Sequence, residues 1–153
     1  MPEITSRQVT ARTGAGNKMT QAESYGKKRV VLITSPASAA WAQNDTIASG
    51  MKLPKGTRFL GGSVVSHAAM GASVTMDIGI RNADTGAVID VDGIADGLDV
   101  AAAGITAANN GALIAAGNEY VTTEETEVYA TLLSANPTDD AQFRIEIEIA
   151  TTD

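Results

Sequence analysis

The clearest pattern in the chain is a strict alternation of apolar and polar residues between positions 72 and 81. A period of two places successive side chains on opposite faces of a strand, so that one face is buried and the other meets solvent. The alternation therefore predicts a half-buried strand. Its apolar members are Ala72, Val74, Met76, Ile78 and Ile80, and its polar members are Ser73, Thr75, Asp77, Gly79 and Arg81.

Three further stretches predict long strands. Thr126–Leu133 alternates in the same way, with Tyr129 and Thr131 on its outer face. Gln142–Ala150 alternates isoleucines with charged residues. Lys28–Thr34 is instead a continuous β-branched run, which is typical of a strand that is buried on both faces.

Turn residues separate these stretches, because Pro, Gly, Asn and Asp favour the backbone angles of turns at 54–56, 82–86 and 136–140. Weaker patterns predict one helical turn at Val100–Ala103 after Asp99 as its N-cap. They also predict a long strand at Thr57–Ala69, interrupted by Gly61 and Gly62, and shorter strands at Asp45–Met51, Ala87–Val91, Ala112–Ala116 and Tyr120–Thr122. About eight strands without a long amphipathic helix predict an all-β fold, a single jelly-roll-like β-sandwich.

The first 27 residues differ from the rest, since they are polar and show no steady period. We predict an extended N-terminal arm over 1–27, followed by the β-sandwich domain over 28–153. The arm carries Arg7, Arg12, Lys18 and Lys27, which suits docking on a partner. A disordered tail would have the same composition.

The composition limits the core and the chemistry. A chain of 153 residues fits one domain. It has no cysteine, which excludes a disulfide scaffold and a thiolate nucleophile. Aromatic residues make up only 4% of the chain, so the core must consist of aliphatic residues and many alanines. Such a thin core buries little area per residue and gains stability from binding neighbours.

The net charge of −7 is unevenly distributed along the chain. Residues 1–60 carry nine Lys/Arg and three Asp/Glu, a balance of +6, whereas residues 61–153 carry two and fifteen, a balance of −13. This asymmetry suggests two surfaces with different partners. An acidic face that only keeps the protein soluble is the alternative. The single basic run is Lys27-Lys28-Arg29, and the acidic remainder repels phosphate, so we predict no nucleic-acid binding.

The sequence also predicts no association with a membrane. No apolar run approaches the roughly 18 residues that a membrane-spanning helix needs. The beginning of the chain has no apolar core of a secretory signal. We expect a soluble protein that is made in the cytoplasm.

Two motifs could indicate catalysis. Asp84-Thr85-Gly86 matches the triplet of aspartic proteases, whose mechanism needs two carboxylates that share one proton. The chain has one copy, so a homodimer would be required, and the same residues are ordinary hairpin chemistry. His67 is the only histidine and cannot form a histidine-based metal site alone, and Ser63 and Ser66 are too near it on one strand for a triad. We therefore predict no catalytic residue, no cofactor and no enzymatic activity.

Four carboxylates fall within ten residues, at Asp90, Asp92, Asp96 and Asp99. Calcium prefers several oxygen ligands close together. The spacing does not fit the calcium loop of an EF-hand, and an acidic, solvated turn region explains these residues equally well. We assign no metal ligands here and leave calcium binding open.

The order of these features resembles the jelly-roll cement, or decoration, proteins that stabilise the capsids of tailed bacteriophages. The resemblance covers about Lys28–Thr151. It rests on turns and strand patterns, including a Leu-Pro-x-Gly-x-Arg turn before a long strand. The segments that carry it are RVVLIT, MKLPKGTRFLGGSVV, SVTMDIGIRNADTGAVIDVDGIADGLDV and NEYVTTEETEVYATLLSANPTDDAQFRIEIEI.

This resemblance implies a structural virion protein on the outer capsid surface. It would bridge subunits of the major capsid protein, as a homodimer or homotrimer at a symmetry axis, and would have no catalytic residues. The predicted capsid contacts are Arg7, Arg12, Lys18, Lys27, Lys28 and Arg29, and the residues predicted to pair between copies are Thr75, Tyr129 and Thr131. The alternative is a head-fibre or tail-associated module that recognises a host glycan or protein. Glycan sites usually expose aromatic rings, which are scarce in this chain.

Overall fold

The strands form two antiparallel sheets whose apolar faces share one core. The structure is a computed structural model that describes residues 27–116 and 120–151. Within these ranges it has nine strands and one short helix. The strands are β1 (Lys27–Thr34), β2 (Thr46–Ala48), β3 (Arg58–Phe59), β4 (Val64–His67), β5 (Thr75–Asn82), β6 (Val88–Asp99), β7 (Gly104–Ala107), β8 (Thr126–Leu133) and β9 (Phe143–Thr151), and the helix is α1 (Ala112–Ala115).

The first sheet is built around β9. Its strand order is β1-β9-β4-β7, and β3 also pairs with β9. On one side β9 pairs with the whole of β1, from Lys27 opposite Thr151 to Thr34 opposite Arg144. On its other side it pairs with β3 and then with β4. The last strand of the described chain is therefore the central strand of this sheet.

The second sheet has the order β2-β8-β5-β6. The pairing of β5 with β8 is regular from Thr75 to Asn82. The pairing of β5 with β6 contains several register shifts. Ile78 is opposite Ala95 but Ile80 is opposite Asp90, so the four residues 91–94 of β6 lie opposite the single residue Gly79 of β5. We call these four residues the β6 bulge.

The core lies between the sheets and confirms the alternation in β9 and, from Val74 onward, in β5. The predicted strand began at Ala72, but β5 begins at Thr75 and Ala72 lies exposed in the preceding turn. Met76, Ile78 and Ile80 of β5 are fully buried, and so are Ile145 and Ile147 of β9. Burial of one such side chain stabilises the fold by roughly 1.5–3 kcal/mol, so these two strands contribute much of the apolar stabilisation. The prediction of an all-β sandwich is confirmed.

The prediction that β1 is buried on both faces is wrong. Val31 and Ile33 point into the core, whereas Val30 and Leu32 are 47% and 52% exposed. The reason is the two-layer architecture. Because the core lies against one face of the first sheet, the outward face of β1 is not covered by another layer of the described residues.

The predicted strand Thr57–Ala69 is two short strands, β3 and β4, on either side of the Gly61–Gly62 turn. The Ser63 hydroxyl accepts a hydrogen bond from the backbone N–H of Glu148, at 3.0 Å. The interruption that the two glycines indicated is therefore real. Both short strands nevertheless pair with the same strand, β9.

The segment after the 82–86 turn differs most from its prediction. β6 continues to Asp99, and residues 101–103 form a bend rather than a helical turn, with the Asp99 carboxylate accepting from the N–H of Ala101. The predicted strand at Ala112–Ala116 is instead α1, whose first turn closes on the carbonyl of Gly111. Of the predicted strand Tyr120–Thr122, only a single bridge remains, between Val121 and Arg58.

β1 begins at Lys27, one residue before the predicted start of the β-sandwich domain. Residues 1–26 lie outside the described residues, so the prediction of an extended arm stays a prediction. Within the described ranges, no helix is long and apolar enough to cross a membrane.

Candidate functional site

The protease-like triplet forms a hairpin turn between β5 and β6. The side-chain oxygen of Asn82 accepts hydrogen bonds from the backbone N–H groups of Asp84 and Thr85, at 2.9 and 2.8 Å. Gly86 has a φ of +72°, which suits glycine. The Asp84 carboxylate is more than half exposed and pairs with Lys52, whose pKa it raises through a hydrogen bond. These contacts are those of a turn, and they agree with the interpretation of Asp84-Thr85-Gly86 as ordinary hairpin chemistry.

His67 is held by local hydrogen bonds. Its side chain is buried where β4 meets β7, with Nε2 at 3.0 Å from the Thr106 hydroxyl and Nδ1 at 3.1 Å from the carbonyl of Ala68. Both ring nitrogens are thus engaged. The residue borders a shallow open groove of about 560 Å³, which also contains Ile105 and Arg144.

The outer face of the second sheet is partly covered by the β6 bulge. A Cβ atom built on Gly79 of β5 would lie 2.5 Å from the carbonyl carbon and oxygen of Val91 and closer still to the carbonyl oxygen of Asp90. The backbone of β6 therefore lies directly on Gly79, at a distance that only glycine permits. Gly111 approaches the other side of the bulge just as closely, and its N–H donates to the carbonyl of Ile94 at 3.0 Å.

Tyr129 lies opposite Gly79 on this outer face, yet it is only 5% exposed. The Arg81 guanidinium stacks 5.4 Å from the centre of its ring and pairs with Glu127 at 2.8 Å. Burial raises the pKa of Tyr129, although Arg81 acts in the opposite direction. The alternation correctly placed Tyr129 on the outer face, but the tyrosine is not available there as a solvent-exposed contact.

The other two residues predicted to pair between copies are partly exposed. Thr75 shares a hydrogen bond of 2.8 Å with Ser134, and Thr131 lies opposite Asp77. Pairing of this face between copies stays a prediction. Because Tyr129 is buried, the accessible part of the predicted contact consists mainly of these two threonines.

Carboxylates gather where β5 meets the β6 bulge. We call Asp77, Asp90, Asp92 and Asp96 the acidic cluster. Oxygens of Asp77, Asp92 and Asp96 lie within 4.8 Å of one another. A hydrogen bond with Asp90 raises the pKa of Asp92, and burial and the neighbouring carboxylates add to this effect. Calcium binding stays an open hypothesis. Asp99, the remaining residue of the predicted group, accepts from Ala101 instead.

The beginning of β6 combines this acidity with exposed apolar side chains. Val88 and Val91 are 57% and 52% exposed, and Ile89 is also exposed. In the described residues these positions have a strand partner only on the side of β5. We call Val88–Asp92 the acidic edge. The sequence predicted a strand at Ala87–Val91 but not the exposure of its apolar side chains, because that exposure depends on the edge position of β6. The interspersed aspartates were the signal that could have indicated it.

The opposite charge gathers on β1. Lys27, Lys28 and Arg29 begin the strand and are exposed, and Val30 and Leu32 follow on the outward face. Lys28 pairs with Glu148 of the neighbouring β9 at 2.6 Å. We call Lys27–Leu32 the basic edge. The remaining predicted cations of the arm, Arg7, Arg12 and Lys18, lie outside the described residues.

The two antiparallel sheets pack around one core and form a jelly-roll-type β-sandwich. Its edges carry charged and apolar residues. No protein-family model and no curated protein sequence matches the chain. Its structure is similar to a chain in the capsid of Ralstonia phage GP4, with a TM-score of 0.61 and 13% identity over 82% of this chain and 84% of that chain. It is also similar to a chain in the capsid asymmetric unit of cyanophage Pam1, with a TM-score of 0.53 and 16% identity over 98% and 99% of the two chains. At these identities the likeness shows a shared fold, and it confirms the fold that the sequence resemblance implied.

Proposed function

We propose that this chain is a structural virion protein that decorates a tailed-phage capsid. It would lie on the outer surface and stabilise the shell by bridging subunits of the major capsid protein. The observation that carries the proposal is the fold, which it shares, over most of both chains, with proteins found in two phage capsids. We assign it no catalytic activity, and the hairpin role of Asp84 and the local bonds of His67 support this.

The distribution of aromatic rings favours a protein contact over glycan recognition. In the described part of the chain, Trp41 packs on Phe143 and Phe59 stacks on Tyr120. Tyr129 lies beneath Arg81. Sugar-binding sites need an exposed ring on which the sugar can stack, and these rings are engaged in packing. Exposed valines and isoleucines beside charges suit contact with another protein.

The arm is the proposed contact with the shell. Its cations Arg7, Arg12 and Lys18 come before the basic edge in the sequence, so the arm offers positive charge of its own to an acidic capsid surface. Each contact of this type is weak because exposed ion pairs contribute about 0–1 kcal/mol. Repetition over a capsid lattice would convert weak contacts into stable attachment through avidity.

Deletion of residues 2–26 tests this role. The cut leaves β1 complete, so we expect a folded domain with a cooperative melting transition. We expect this variant to lose binding to undecorated shells of the major capsid protein in a co-sedimentation assay. The matched full-length control replaces Arg7, Arg12 and Lys18 by glutamine and should show intermediate binding that falls further as salt increases.

Two results would count against the proposal in different ways. If the shortened protein decorates shells as well as the full chain, the arm is not the contact. If the full-length protein does not bind undecorated shells at low salt, the decoration role itself is wrong.

A further inference from the structure

The basic and acidic edges lie on opposite sides of the sandwich. In the first sheet, β1 and β7 are the two outermost strands. The end of β6 is beside β7, since the Thr106 hydroxyl lies 3.5 Å from the carbonyl oxygen of Asp99 and only residues 100–103 connect the two strands. The edge formed by β6 is therefore on the side of β7, away from β1.

The two edges are complementary in charge. The basic edge has three cations, and Lys28 pairs with Glu148 of its own sheet. The acidic edge has Asp90 and Asp92 next to the rest of the acidic cluster, which contains no cation. Cations that dock there would relieve the crowding of carboxylates that contributes to the raised pKa of Asp92.

The two edges are also alike in having apolar side chains that the described residues leave exposed. The basic edge offers Val30 and Leu32, and the acidic edge offers Val88 and Val91. Each edge also ends a sheet, and edge strands present backbone groups that an added strand can satisfy. Soluble domains usually protect such edges with charge. Here the two protecting charges have opposite signs.

We propose that copies of this chain associate head to tail, with the basic edge of one copy against the acidic edge of the next. Pairing of each edge with its own kind would bring like charges together in both cases, which costs stability. Because the two surfaces differ and lie on opposite sides, the contact is heterologous. Such contacts build a closed ring when the rotation between copies closes and an open chain when it does not.

Two matched variants of the full-length protein test this contact. The first, Val30→Thr with Leu32→Thr, removes the apolar part of the basic edge, and the second, Val88→Thr with Val91→Thr, removes that of the acidic edge. Both retain all charges and introduce only a residue that favours strands. The control is Ile105→Thr, which removes the 74% exposed isoleucine of β7, outside both edges. Melting curves confirm that each variant is folded.

Sedimentation velocity of the proteins at low salt gives the outcome. We expect the wild type and the Ile105 control to assemble, and each edge variant alone to assemble roughly tenfold or more weakly, since two apolar contacts are lost. An equimolar mixture of the two variants should form heterodimers and nothing larger. In that mixture, the intact basic edge of one variant meets the intact acidic edge of the other.

Three results would overturn the proposal. If the wild type stays monomeric, the proposed contact between copies does not form. Normal assembly of the acidic-edge variant alone, with loss only in the basic-edge variant, would show that β1 pairs with itself. Assembly of both variants like the wild type would place the contact elsewhere. The assay contains no capsid, so a negative result would contradict the contact between copies without contradicting the proposed decoration role.

A cysteine cross-link gives a second measurement on the same contact. The chain has no cysteine, so Leu32→Cys and Val91→Cys each introduce one thiol. We expect a mixture of these two variants to form a disulfide between copies, joining position 32 of one to position 91 of the other, faster than either variant forms a disulfide with itself. Equal rates for all three pairs would contradict a head-to-tail contact.

Discussion

Replacement of Gly79 by alanine should destabilise the protein, although alanine normally suits a strand better than glycine does. The added methyl group would point at the backbone of the β6 bulge, 2.5 Å from the carbonyl carbon of Val91. Carbon atoms in contact prefer a separation of about 3.5–4.0 Å. The bulge would therefore have to move outward by roughly 1 Å.

The magnitude follows from two opposing effects. Overpacking of this kind costs about 1–3 kcal/mol, and the upper part of that range applies because the obstacle is backbone rather than a mobile side chain. A glycine-to-alanine change also restricts the unfolded chain, which returns about 0.4–1 kcal/mol. The net loss is then about 2 kcal/mol. For a domain of this length that corresponds to a fall in melting temperature of roughly 4–8 °C.

The assay is denaturant or thermal unfolding followed by circular dichroism. The matched control is Gly104→Ala on β7, where an added Cβ meets no atom within 4 Å. The control should be neutral or slightly more stable. Equal stability of the Gly79 variant and the wild type would refute the close approach of β6, as would an equal loss in both variants.

Other substitutions give smaller effects of defined sign. Asp92→Asn should raise the free energy of unfolding at neutral pH by at most about 1 kcal/mol, because the site is largely solvated. The pKa of Asp92 is raised in the folded state, so its carboxyl stabilises the fold when protonated, and this contribution is lost as pH rises. The stability difference between Asp92→Asn and the wild type should therefore shrink as pH falls from neutrality toward about 4. A stability difference that stays constant with pH would contradict this reasoning. Ile147→Val should cost about 0.5–1.5 kcal/mol in chemical denaturation, whereas Val30→Ala on the exposed face of β1 should cost less. Asp84→Asn should leave capsid binding unchanged in the co-sedimentation assay. Loss of binding in this variant would show that the Asp84-Thr85-Gly86 turn contributes to function.

The sequence predicted the long central strands because their side chains alternate between the core and the outer face. Every second residue of β5, β8 and β9 meets the core, although Gly79 and Tyr129 are also buried on the outer face of the second sheet. The bounds of β8 agree with its prediction, and those of β9 differ by one residue at each end. The charge asymmetry of the chain was also visible, and it corresponds to two spatially separate edges.

The features that escaped prediction depend on tertiary neighbours. A run such as Val30–Ile33 has the same composition whether its outer face is covered or free, and only the layers that pack on the sheet decide between these cases. The burial of Tyr129 depends on tertiary packing, which includes the Arg81 guanidinium stacked on its ring. Alanines between 112 and 116 suit a helix as well as a strand, and the carbonyl of Gly111 closes the helical turn there.

The central position of β9 has a consequence for how the protein is made. Ser35, just after β1, hydrogen-bonds to Phe143, 108 residues later in the chain. A ribosome that adds about 5–20 residues per second needs roughly 5–20 s to cover that distance. Through this interval β1, β3 and β4 lack their common partner, so the first sheet cannot form before β9 has been synthesised. A nascent chain that stops before residue 143 therefore leaves apolar strand faces open to aggregation or to chaperones.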